Sequence, residues 1–167
     1  MEELGVHCQT VQRQHDVFIL GSVEDIVIAL DDSLVTLNTI LGSRFCKPIR
    51  AAVEKWQRDL ILVSDTLDEW LLCQKQWMYL ETIFSAQDIQ RQLPNESKMF
   101  FGVDKLWKDT MRSTNTHPKA VDAATKKGRK ENFLKSNKML DKIQKSLEDY
   151  LETKRIAFPR FYFLSND

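Results

Sequence analysis

Glycine and proline are scarce in this chain, five and four among 167 residues. That scarcity disfavours the turn-dense all-β sandwiches and barrels, whose short strands need frequent punctuation. Cysteine is scarcer still: Cys8, Cys46 and Cys73 are odd in number and far apart. Three such residues make no disulfide framework and match the usage of a reducing compartment. No apolar run approaches the roughly 18 residues of a membrane span, and MEELGVHCQT lacks the basic-then-apolar layout of a signal peptide. The expected setting is therefore intracellular, with no membrane partner. Neither sign of charge dominates, with 24 Lys plus Arg against 24 Asp plus Glu, so net charge does not call for a polyanionic partner such as nucleic acid. GxxxxGK[ST], GxGxxG and GxSxG are all missing. No catalytic residue, cofactor or metal ligand set is assigned.

What is present is helix. Hydrophobic residues make up 43% and charged residues 29%, enough for one domain with a real core. Across residues 48–84, Ile49, Val53, Trp56, Leu60, Val63, Leu67 and Trp70 recur at alternating steps of four and three. Gln74 interrupts the rhythm, and Trp77, Leu80 and Phe84 resume it. With no internal Gly or Pro, the stretch reads as one helix roughly 55 Å long at 1.5 Å per residue. Tryptophans along one seam are costly to expose, so at least two further helices must cover them.

Those partners can be read in order. Residues 1–21 form a poorly defined N-terminal segment in which DVFILG favours an extended conformation. Ser22 opens a helix with Asp25 as an imperfect capping box, its stripe being Val23, Ile26, Leu30, Leu34, Leu37 and Leu41, and Gly42 its C-terminal cap. Pro48 is placed at the first position of the long helix, and so short a connection makes the two helices antiparallel neighbours. Ser85 caps a short helix over residues 86–92. Leu93-Pro94 ends it, and Asn95 caps the next, with Met99 or Phe100, Val103, Leu106, Trp107 and Met111 on its inner face. Residues 113–118 read as a polar loop, and residues 118–125 as a modest helix. A last helix over 131–155 carries Phe133, Leu140, Ile143, Leu147, Tyr150 and Leu151. The expected fold is an all-α, elongated antiparallel helical bundle, one domain over residues 22–167. Its structural core is Trp56, Trp70, Trp77, Trp107, Leu140 and Leu147. FPRFYFLSND then sets five large apolar side chains in seven residues, from which we expect a chain cut from a longer one, with Phe158, Phe161 and Phe163 meeting the missing part.

Candidate chemistry is thin. His7, Cys8 and His15 match no familiar metal spacing, and Cys73 fits a buried inert thiol. Asp31-Asp32, Asp68-Glu69 and Glu148-Asp149 are adjacent on helices and so diverge rather than converge. The four tryptophans fit core packing better than a ligand cage. Residues 119–155 hold eleven Lys or Arg against six Asp or Glu, centred on the run Lys126, Lys127, Gly128, Arg129, Lys130. That run has no interleaved aromatics for base stacking and reads as a solvated loop.

Several stretches together resemble the linker region of dynein heavy chains. They are LDDSLVTLNTILGS, LDEWLLCQKQWMYLETIF followed by SAQDIQRQLPNESKMF, VDKLWKDTM, and KSLEDYLETKRIAFPRFYFLSND. The conjunction of W-x6-W-x-YLE, DI-x3-LP-x-E and the terminal FPRFYFLSND is more specific than any single heptad, and the likeness is closer to axonemal than to cytoplasmic members. Many of that family carry Pro after YLE or LE; Thr82 stands here and favours a helix unbroken to Phe84. The resemblance implies an α-helical arm lying across a ring of AAA+ modules. In such motors the ring hydrolyses nucleotide and the arm swings, so this segment would transmit force without catalysis, in the cytoskeleton of a cilium or flagellum. Bends would fall at residues 42–48, 93–95 and 113–118. The competing readings are a free-standing helical scaffold that recruits partner helices, and a small all-α enzyme with an irregular site.

Overall fold

The computed structural model describes residues 8–10 and 17–157. Phe158, Phe161 and Phe163, the expected meeting surface with further chain, lie outside those residues, as do His7 and His15. The chain opens with two three-residue strands, β1 (Cys8–Thr10) and β2 (Phe18–Leu20), paired antiparallel with Cys8 opposite Leu20. The described residues after β2 are mostly helical: α1 (Glu24–Gly42), α2 (Arg50–Phe84), α3 (Gln87–Gln92), α4 (Pro94–Thr116), α5 (Ala120–Thr125) and α6 (Arg129–Ala157).

At 35 residues α2 is about 52 Å long, and Thr82 lies inside it. Its neighbours are fixed by pairs of contacts. Arg50 donates to the Leu41 carbonyl and Gln57 to the Asn38 side chain, so α1 runs antiparallel to α2. Phe84 stacks on Phe100 and Trp77 on Trp107, so α4 is antiparallel as well. Lys130 meets Asp65 and Phe133 meets Trp70, so α6 runs parallel to α2. The bundle is thus antiparallel only between successive long helices; α2 and α6, two reversals apart, point the same way and share the most extensive contact among the described residues.

Helix ends differ from the sequence expectation in instructive ways. Val23, not Ser22, precedes α1, and no side chain caps it; Glu24 and Asp25 place their charges in the first turn instead, where the helix dipole favours acids. Gly42 is helical, and the helix stops because Ser43 turns extended at φ −78°, ψ 134°. A 3-10 turn (Arg44–Cys46) follows, with the Ser43 hydroxyl accepting the Phe45 N–H. The Ile49 N–H then bonds the Cys46 carbonyl at 3.0 Å, so an extra turn separates Pro48 from the start of α2 at Arg50. The polar residues after Met111 do not break α4. Thr114 and Thr116 return their hydroxyls to the carbonyls of Thr110 and Arg112 at 2.9 and 3.0 Å, which satisfies them within the helix.

One core runs through the bundle. It takes in Ile26 and Leu30 of α1, the α2 seam from Leu60 to Phe84, Phe100, Val103, Trp107 and Met111 of α4, three alanines of α5, and Phe133, Leu140, Ile143 and Leu147 of α6. It also reaches back to Val17 and Leu20 of the N-terminal segment.

Candidate functional site

The seam of α2 with α4 and α6 is where the sequence concentrates its largest side chains. Trp70, Trp77 and Phe84 stand seven residues apart on α2; Phe100 and Trp107 stand seven apart on α4. Because the helices are antiparallel, Phe84 stacks on Phe100 at 5.4 Å between ring centroids and Trp77 on Trp107 at 5.3 Å. The same register brings Trp70 opposite Thr114, which has no ring to offer. Helix α6 fills that rung: Phe133 stacks on Trp70 at 5.0 Å and touches Trp107, and the Arg129 guanidinium lies over the Trp70 ring at 5.4 Å. Offset aromatic stacking of this kind adds to area burial.

Polar contacts fix the register from outside. The Trp77 indole donates to Asp104 at 3.0 Å, and Lys108 closes on the same carboxylate at 2.7 Å. Lys130 bridges to Asp65 at 2.8 Å, which raises its pKa chiefly through that hydrogen bond. Asn137 donates to both the carbonyl and the carboxylate of Glu69. Gln74, the break in the heptad rhythm, accepts the Leu20 N–H and donates to the Leu20 carbonyl, tying β2 to the long helix.

Of the six expected core residues, Trp70, Trp77, Trp107, Leu140 and Leu147 are buried. Trp56 is not: it is 51% exposed. The α6 helix starts only alongside Asp65, so the earlier turns of α2 lack its cover: Val53 and Leu60 are still buried there, but half of the larger Trp56 side chain stays open. Exposure is shared by Ile49 on the same seam, by Val35 on α1, and by Phe45 at the hairpin tip, which is 82% exposed. Ile28, further back on α1, is exposed too. Arg129, read from sequence as part of a solvated basic run, is 7% exposed. The readable signal was its spacing: Arg129, Phe133, Ser136, Leu140, Ile143 and Leu147 keep one buried stripe once the helix begins at residue 129.

Convergent chemistry is sparse in this arrangement. Among the described residues no three His, Cys, Asp or Glu side chains gather to hold a metal ion, and no helix is long and apolar enough to cross a membrane. Cys73 is buried beside Glu69; desolvation first, and the neighbouring carboxylate second, push its thiol up to about 12, the opposite of what a nucleophile requires.

The fold is thus an all-α, side-by-side array of long helices packed on one central helix. Residues 2–167 match the family model of the dynein heavy chain, N-terminal region 2, and the chain belongs to that family. Similar curated proteins include dynein axonemal heavy chain 6 of Homo sapiens, 56% identical over 152 residues and 91% of this chain. Dynein axonemal heavy chain 12 of Rattus norvegicus is 44% identical over 166 residues, 99% of the chain. Dynein axonemal heavy chain 3 of Mus musculus is 45% identical over 155 residues, 93% of the chain. The chain spans only 4 to 5% of the length of these relatives.

Proposed function

We propose that this segment is part of the mechanical arm of an axonemal dynein heavy chain, carrying ring rearrangements driven by ATP into a power stroke without doing catalysis itself. The observation that carries the reading is the α2 seam. A single helix bends over tens of ångströms, whereas a long helix clamped by interlocking rings from two neighbours resists bending, because sliding or splaying must break close packing at every rung. Membership of the dynein heavy chain family and the axonemal identity of the similar proteins support it, and put the segment in the axoneme of a cilium or flagellum. The remainder of the heavy chain, with its AAA+ ring, is then the main partner, and the microtubule is engaged indirectly. The exposed apolar tip formed by Phe45, Ile49 and Trp56 supports a larger body around this segment.

The test is made in the whole heavy chain. Replacing Trp77 and Trp107 together by Ala softens the arm at its centre. The reading expects microtubule gliding to slow severely while ATP turnover continues. Unchanged gliding by a folded double variant would remove the lever role.

A further inference from the structure

We propose that the N-terminal end of α6 is a binding site for a phosphate group, built from Lys126, Lys127 and Arg129 together with the hydroxyls of Thr110 and Ser113. These side chains, with Asn132 and Asp109, line one cavity of about 210 Å³ between α4 and the turn that opens α6. That is smaller than the roughly 300 to 1,000 Å³ of pockets for whole small molecules; it suits a phosphate group and not a nucleoside.

The charge is one-sided. Three cations face a single carboxylate, and Asp109 already has Arg112 at 3.6 Å. Lys126 reaches only the Ser113 hydroxyl, at 3.4 Å. Arg129 is the decisive group. Its guanidinium is buried, donates to the Thr114 hydroxyl at 3.3 Å, and has no carboxylate within ion-pair distance among the described residues. A guanidinium offers five N–H donors, and one neutral hydroxyl plus the Trp70 face leaves most of that capacity unused. A buried cation without a counter-charge is costly, and an anion in the adjoining cavity relieves that cost. The 29-residue helix α6 adds the positive end of its dipole at the same place, while the Arg129 and Asn132 N–H groups already bond the Lys126 and Gly128 carbonyls. Phosphate is favoured over a side-chain carboxylate because its several oxygens can engage ammonium, guanidinium and hydroxyl donors at once.

The phosphate group has two sources, a free ion or a phosphorylated side chain, and the experiment separates them. The isotopically labelled 167-residue chain is titrated with sodium phosphate at constant ionic strength, with sodium chloride as blank, and amide shifts are followed by NMR. Saturable shifts are expected at residues 126–132. The Lys126→Ala, Lys127→Ala double variant changes only exposed side chains; it should keep its thermal midpoint in phosphate-free buffer and bind about tenfold or more weakly, as the loss of two charge contacts implies. A parallel titration with O-phosphoserine assigns a phosphorylated side chain if it binds at least as tightly as phosphate, and a free ion if it does not. Shifts that follow ionic strength alone, or binding unchanged in the double variant, overturn the site.

Discussion

The Gln74 carboxamide receives the Leu20 N–H at 2.7 Å and donates back to the Leu20 carbonyl at 3.1 Å. One side chain thereby serves both main-chain groups of a strand residue, as a neighbouring strand would, and it does so from a position that a hydrophobic seam would give to leucine or valine. The arrangement joins the N-terminal hairpin to the central rod. Gln74→Ala should leave both groups of Leu20 without a partner at a half-buried site, at a cost of about 1 to 3 kcal/mol. Hydrogen exchange checks it: the Leu20 amide should exchange faster in the variant while amides in the middle of α6 keep their protection. Equal protection of Leu20 in both proteins would dismiss the clamp.

Trp107 and Trp56 should respond oppositely to the same truncation. Trp107 is 2% exposed and stacked on Trp77, so Trp107→Ala removes a large buried ring and should cost about 3 to 5 kcal/mol. Trp56, half exposed on the α1–α2 hairpin, should cost within roughly 0.5 kcal/mol of zero in this chain, as surface substitutions do. Denaturant titrations of the two variants side by side decide this, and a Trp56→Ala loss comparable to that of Trp107→Ala would contradict the packing described.

The contrast also shows what a linear pattern can and cannot carry. The four-three rhythm of α2 depends only on local order, so the helix and its inward face could be read directly from residues 48–84. Whether a given turn of that face is covered depends on where other helices start. Trp56 keeps the rhythm perfectly and is still half exposed, while Val53 and Leu60 on either side of it in the same rhythm are buried. Gln74 registered in the sequence as an interruption, but its partner lies 54 residues away and no local pattern points to it. Arg129 was hidden differently: its neighbours Lys126, Lys127 and Lys130 gave the run a solvated character, while its spacing to Phe133 carried the contrary signal.

Gly128 is the residue of the described chain with a left-handed backbone, φ 79°. A methyl group there would meet nothing within 4 Å, so Gly128→Ala tests the backbone alone. The expected cost is about 1 to 2 kcal/mol, from holding an L-residue in that region, and Gly128→Asn should recover part of it because Asn tolerates the conformation better. Chemical denaturation measures both. Equal stability of all three proteins would mean that the turn into α6 relaxes to another conformation.

Cys73 gives the pH dependence. In the folded chain its thiol is pushed up to about 12, against 9.0 for an ordinary cysteine, first by burial and then by Glu69. An acid whose folded value lies above its unfolded value favours the native state fully below the unfolded value. As pH rises from about 9 toward about 12, the unfolded chain loses this proton and the folded chain keeps it, so stability falls across that window. Lysines and tyrosines titrate there too, which makes the difference between wild type and Cys73→Ala the informative quantity. The fall in denaturation midpoint above pH 9 should be shallower in the variant, and the two curves should run parallel below it. Alkylation provides a second check: near neutral pH the folded thiolate is about a thousandfold rarer than that of an ordinary cysteine, so Cys73 should be modified only at the rate at which the chain opens. Rapid labelling of Cys73 in the native chain, or identical alkaline slopes, would show that the thiol is not held as buried beneath the seam as the packing of Trp70 and Trp77 requires.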